Sequence, residues 1–165
     1  MGISHLSILG AHPDVEVVGV SDTSKMTLDV LKKYTSFPTF SDYEDMLKET
    51  DADAIFVAVP TKFHGKMVKK ILESGRHVFA EKPLCLTANE SSELADIANR
   101  RKLVNQVGYH NKFIGTFQEV KKLLEADCIG DIQHFTGESY GPVVIKAKQD
   151  TWRSDPEEGG GCLMD

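Results

Sequence analysis

The segment Ala54-Ile55-Phe56-Val57-Ala58-Val59 is apolar without a break. A strand with one face in water alternates apolar and polar residues, so an unbroken run reads as a parallel strand covered on both faces. Val15-Glu16-Val17-Val18-Gly19-Val20 precedes it and His77-Val78-Phe79-Ala80 follows it as further buried strands, and Leu103-Val104-Asn105-Gln106-Val107-Gly108 is a fourth candidate. Helical patterns fall between them. Phe63, Met67, Val68, Ile71 and Leu72 share one helical face, which Gly75 terminates. Leu94, Ile97 and Ala98 mark the inward side of a helix over 88–101, opened by a capping box of Thr87 and Glu90. Ser41 is the predicted cap of a shorter helix over 42–48, with Glu44 at its third position, and residues 25–34 place Leu28 and Leu31 on one face. Strand–helix–strand alternation of this kind predicts an α/β fold with a doubly wound parallel sheet.

The texture then changes. A helix over 113–126 sets Phe117, Val120 and Leu124 about one turn apart. Asp131 to Tyr140 reads as a strand with partial alternation, followed by a polar loop through Asp150 and the run Gly159-Gly160-Gly161. A domain boundary is therefore expected near residue 113, with one domain over 1–113 and the start of a second over 114–165.

Composition excludes several classes of partner. The 165 residues carry a net charge of -6, which argues against nucleic acid and anionic membranes, since both attract basic surfaces. No apolar run approaches the length of a membrane span, and the first residues, Met1-Gly2-Ile3-Ser4-His5, lack the pattern of a signal peptide. The cysteines, Cys85, Cys128 and Cys162, are odd in number and far apart, which suggests neither a metal site nor a disulfide framework and points to the reducing cytoplasm. Two roles stand for Cys85: a reactive thiol beside the motif at residues 81–83, or a small apolar filler, the commoner fate of such a residue.

In a dinucleotide-binding sheet, the first strand leads through a glycine-rich turn into a helix whose N-terminus holds pyrophosphate, and an acidic residue ~20 positions on meets the ribose hydroxyls. The chain begins too late for the whole pattern. Gly2 matches the last glycine of the turn, His5 to Ala11 the first helix with Pro13 ending it, and Val15 to Ser21 the second strand, which finishes at Asp22. A carboxylate at Asp22 favours NAD by repelling the 2′-phosphate of NADP, although Lys25 close by leaves NADP as an alternative. Asp22 equally suits a turn cap in Asp22-Thr23-Ser24.

Val57-Ala58-Val59-Pro60-Thr61-Lys62-Phe63-His64, Glu73-Ser74-Gly75-Arg76-His77-Val78, Glu81-Lys82-Pro83 and Val107-Gly108-Tyr109 form an ordered series. With Ile129-Gly130-Asp131-Ile132, Trp152-Arg153, the glycine run and Asp165, that series resembles the Gfo/Idh/MocA family of glucose–fructose oxidoreductase, inositol dehydrogenase and relatives, across essentially the whole chain. The resemblance implies an N-terminal NAD(P)-binding Rossmann domain, here without its first strand, and a C-terminal α+β domain. It also implies hydride transfer between NAD (or NADP) and a hydroxyl or carbonyl carbon of a sugar or polyol, in a homo-oligomer.

Under that resemblance Lys82 is the catalytic lysine. Independently, a lysine at the carboxyl end of a parallel strand projects toward the crevice where ligands bind, and a cationic nicotinamide nearby favours proton exchange with a hydroxyl. The bland alternative is a surface lysine after a strand. Pro60, Thr61 and His64 fall where the family's chain passes the cofactor, and His64 also suits a structural place at a helix start. Glu81 either hydrogen-bonds the nicotinamide ribose or holds the Lys82 backbone. Tyr109, Trp152 and Arg153 are weaker candidates for the substrate pocket, Tyr109 being equally suited to packing. Lys112 stands where many relatives carry arginine, keeping the charge but not the planar fork.

The resemblance also implies a catalytic role for Asp165, which matches the aspartate of the family's second catalytic segment, Asp-x-x-x-His, whose histidine falls past the last residue. A missing first strand would also leave two apolar strands with unpaired backbone groups across a gap. Three functions are consistent with these features: a dehydrogenase in the intact parent, a non-catalytic gene fragment for the chain taken literally, and a dinucleotide-binding module without redox activity.

Overall fold

The computed structural model describes residues 1–138. Two parallel sheets form among them. The first pairs β1 (Val20–Ser21) with β2 (Thr39–Phe40), and the second has the order β3 (Ala54–Val57), β4 (His77–Ala80), β5 (Asn105–Val107). Helices fill the connections: α1 (Gly2–Ala11), α2 (Lys25–Tyr34), α3 (Tyr43–Glu49), α4 (His64–Glu73), α5 (Ala88–Arg101) and α6 (Gly115–Glu125). This is the doubly wound α/β arrangement that the alternation predicts.

The core forms where α3, α4 and α5 cover the larger sheet. Ile55, Val57, Val78 and Ala80 on the strands meet Met46, Leu47, Val68, Ile71, Leu72, Leu94, Ile97 and Ala98. Ile71, Leu72 and Ala98 are wholly excluded from solvent. The inward faces predicted for α2, α4 and α5 are thus observed, except that Met67 is only partly buried and Phe63 lies in a 3-10 turn (Thr61–Phe63) and is half exposed. Gly75 ends α4 with φ +84°, a left-handed conformation that costs a side-chain-bearing residue energy. Arg76, next along, donates to the carbonyls of Leu47, Thr50 and Ala52, tying the end of α3 to the start of β4.

Helix α1 lies against both sheets. A Cβ added at Gly10 would meet the Phe37 ring at 3.0 Å, beside β2, and one at Gly2 would meet Ala58 at 3.8 Å, past the end of β3. The ring of His5 packs on Phe56 of β3 and Phe79 of β4. No strand hydrogen bonds join the two sheets among the described residues; α3 bridges them, packing on β1 and β2 while its Met46 and Leu47 join the core over the larger sheet.

Several predicted boundaries change. Val15–Val20 shrinks to β1, because a ladder needs a neighbour and only Val20 and Ser21 find one, in Thr39 and Phe40. The run Ala54–Val59 stops at Val57 and Leu103–Gly108 contracts to β5. The first helix begins at Gly2 rather than His5. The cap of α3 is Asp42, not Ser41: its Oδ1 accepts the Glu44 amide at 2.7 Å, which displaces the helix start by one residue. Thr87 caps α5 as predicted, its hydroxyl accepting the Glu90 amide. Residues 131–138 form no strand and are exposed, with no pairing partner among the described residues; the last two residues of that predicted strand lie outside them.

Candidate active site

The three strands of the larger sheet run parallel and in register, Val57 beside Ala80 and Ala80 beside Val107, so their carboxyl ends share one edge. Backbone bonds extend the ladder one step further: the Glu81 amide donates to Val57 and the Gly108 amide to Ala80. Lys82 is the first residue past that last rung. Pro60 and Thr61 follow β3, Glu81-Lys82-Pro83 follows β4 and Gly108-Tyr109 follows β5, which collects these predicted site residues along one crevice edge. Ligands of open parallel sheets bind outside this edge.

His64 is buried here at 1% exposure. Its Nε2 stands 2.8 Å from the carbonyl of Val59 and its Nδ1 2.9 Å from that of Pro83. Of the two roles the sequence left open for His64, the geometry displays the structural one: the imidazole spans the loop after β3 and the loop carrying Lys82. Thr61 is likewise buried, whereas Tyr109 is half exposed.

Glu81 is held by both carboxylate oxygens. Its Oε1 lies 2.6 Å from Nε2 of His5, and its Oε2 accepts the Lys82 amide at 3.3 Å. A Cβ at Gly108 would lie 3.3 Å from the same Oε2 and 3.2 Å from the Phe79 ring, so a side chain there would press on both. Burial pushes the Glu81 carboxyl up, but the His5 hydrogen bond, the Lys82 amide and the charges of His5 and Lys82 outweigh it and hold the carboxyl below its ordinary value. Holding the Lys82 backbone is therefore the observed arrangement of Glu81.

Gly2 opens α1 in helical conformation, and neither a side-chain cap nor an acidic first-turn residue occupies that N-terminus. Asp22 follows β1. Its Oδ1 accepts the Ser24 amide at 2.7 Å, and Ser24 in turn caps α2 through the Thr27 amide, so the turn-cap role is realised. Cys85 is buried, and burial, with Glu90 adding to it against a Ser91 hydrogen bond, pushes its thiol up to about 11, the behaviour of a core filler rather than a reactive group. Trp152, Arg153, the glycine run, Cys162 and Asp165 lie outside the described residues. The sequence marks His5 only as part of the first helix; its contact with Glu81 joins residues 76 apart, which no local pattern announces.

A model of an oxidoreductase family with an NAD-binding Rossmann fold, GFO/IDH/MocA, matches residues 1–109, and the model of a GFO/IDH/MocA C-terminal domain matches residues 117–165. Among curated proteins, a dTDP-3,4-didehydro-2,6-dideoxy-alpha-D-glucose 3-reductase of Saccharopolyspora spinosa is 33% identical over 74% of this chain and 36% of its own length. Two solved structures share the fold. WlbA dehydrogenase from Bordetella pertussis, in complex with NADH and UDP-GlcNAcA, superposes with a TM-score of 0.72 at 28% identity, over 78% of this chain and 40% of its own. Scyllo-inositol dehydrogenase from Lactobacillus casei, with NAD(H) and scyllo-inositol, does so with a TM-score of 0.72 at 26% identity, over 79% and 39%. The chain spans less than half the length of the curated relatives it matches.

Proposed function

The chain belongs to the GFO/IDH/MocA oxidoreductase family, and from that premise we propose that it supplies the cofactor-binding and proton-exchanging half of an NAD-dependent dehydrogenase acting on a sugar or polyol. The observation that carries the reading is the shared edge at which Pro60, Lys82 and Tyr109 leave three parallel strands, beside the uncapped N-terminus of α1.

The residues present fit a dinucleotide. The first-turn amides of α1 and its dipole suit a pyrophosphate, and Asp22 has a second carboxylate oxygen for a ribose hydroxyl while the first holds its turn. Pro60 and Thr61 border the crevice next to Lys82. The bound nicotinamide supplies the hydride donor or acceptor. Lys82 exchanges a proton at the substrate hydroxyl or carbonyl oxygen, its backbone fixed by Glu81 and by the buried imidazole of His64. Asp165 assists from the second domain, and Tyr109, Trp152 and Arg153 contribute to the substrate pocket. We place the domain boundary near residue 113 and the protein, as a homo-oligomer, in the cytoplasm, which its free thiols Cys85 and Cys128 suit.

No described helix is long and apolar enough to cross a membrane. The sugar-nucleotide and inositol ligands of the structural neighbours support a polyhydroxylated substrate. The test is reduction of NAD in a panel of inositols, hexoses and nucleotide sugars, with NADH binding followed by fluorescence. Lys82→Ala should lose turnover while NADH still binds. Undiminished turnover in that variant removes Lys82 from the mechanism, and absence of NADH binding by the wild type removes the cofactor.

A further inference from the structure

His5 reaches from α1 to Glu81, the residue next to Lys82. Its Nε2 meets Glu81 Oε1 at 2.6 Å, and the same carboxylate accepts the Lys82 amide through Oε2. The ring is steered into place by aromatic packing: its centroid lies 5.2 Å from Phe79, edge to face, and 6.0 Å from Phe56, and those two rings stack at 4.9 Å. Both partners are shielded, with side chains 22% and 13% exposed, so water competes poorly for the contact. The backbone of Gly108 runs near the carboxylate, where an added Cβ would lie 3.3 Å from Oε2. A charged hydrogen bond enclosed in this way is short, directional and hard to replace by solvent.

From this juxtaposition we propose that His5 is a positioning residue for Lys82, acting through Glu81, and that it couples the helix offering its N-terminus to the dinucleotide to the segment offering the amine. The inference rests on the reading of Lys82 given above. It assigns the Phe56–Phe79 pair a task beyond filling space: the rings fix the imidazole plane so that Nε2 faces the carboxylate. Coupling arises because movement of α1 drags His5, and His5 holds the carboxylate that orders the backbone at residue 82.

The experiment reads Lys82 directly. Reductive methylation with 13C-formaldehyde places a reporter on the lysine amines, and Lys82→Arg identifies the Lys82 resonance by its loss. His5→Phe keeps a ring against Phe56 and Phe79 but removes the N–H. It should move the Lys82 resonance while the resonances of Lys69 and Lys70, remote on α4, stay in place. His5→Gln, whose amide can donate to the same carboxylate, should return the signal toward wild type, and Glu81→Gln should move it as His5→Phe does. In turnover assays His5→Phe should lower kcat about tenfold to a hundredfold with KM for NAD within about twofold, the signature of a misplaced group rather than a lost binding contact. A Lys82 resonance unmoved in both His5→Phe and Glu81→Gln overturns the inference. Lys82→Ala with full turnover overturns the reading of Lys82 instead, whatever the resonances do.

Discussion

His64 and Pro83 meet through a hydrogen-bond contact of 2.9 Å between the Nδ1 atom and the Pro83 carbonyl, and the opposite ring nitrogen faces Val59 at 2.8 Å. A buried imidazole thus stitches the ends of neighbouring strands at the crevice. His64→Ala leaves both carbonyls without that partner in a shielded place. The expected loss is about 2–4 kcal/mol of unfolding free energy, read from the urea midpoint. Asparagine or glutamine, which cannot reach both carbonyls from one planar ring, should recover only part of it.

Arg76 should prove similarly intolerant. Its Nε donates to Ala52 at 3.1 Å and one Nη to Leu47 and Thr50 at 2.9 and 3.0 Å. An ammonium on a flexible stem cannot reproduce that fork, so Arg76→Lys should cost about 1–3 kcal/mol by denaturation, despite the retained charge.

Asp22 allows charge to be separated from turn geometry. Asp22→Asn keeps an oxygen for the Ser24 amide while removing the negative charge. The variant should fold normally, with its preference for NAD over NADP reduced by about tenfold, equivalent to about 1.4 kcal/mol. Competitive binding of NADH and NADPH measures it; an unchanged ratio would assign Asp22 to the turn alone.

Thiol chemistry should distinguish the cysteines. Cys128 is exposed, whereas Cys85 is buried with its thiol raised from 9.0 to about 11. Iodoacetamide at neutral pH should therefore alkylate Cys128 well before Cys85, as peptide mapping can follow. Because the folded thiol holds its proton more tightly than the unfolded one, its contribution to stability is present below pH 9.0 and is lost as pH rises toward about 11.

Glu81 acts in the opposite sense. Its carboxyl is held below the ordinary value of 4.5, so the folded state releases this proton more readily than the unfolded chain. The stabilisation is present above pH 4.5 and is lost as pH falls through the depressed value. Melting temperature against pH should show a steeper acid limb for the wild type than for Glu81→Gln.

The architecture was legible because buried parallel strands leave unbroken apolar runs, as in Ala54–Val57, and amphipathic helices leave a periodic mark, as in Val68, Ile71 and Leu72; the run did not disclose that only Ile55 and Val57 are buried while Ala54 and Phe56 are exposed. Pairing is not written in that way. Val15 to Gly19 carry strand-like residues yet enter no ladder, because whether a neighbour exists is decided by distant chain. The cap of α3 falls one residue later than predicted because Ser41 and Asp42 are both good cap formers, and only the folded turn chooses between them. Lys82 and Glu81 could be read from a local motif, whereas the His5 contact joins residues 76 apart and had no local mark.

The register of β3, β4 and β5 also divides labour within each strand. Alternate residues Ile55, Val57, Val78 and Ala80 are committed to the interior, while each strand gives way at its carboxyl end to a short connecting segment. Chemistry at the rim can consequently be rewritten, in evolution or in the laboratory, by exchanging a few loop residues without disturbing the scaffold beneath. The exception is His64, where one side chain is at once a foundation stone and a contact of the loop that carries Lys82.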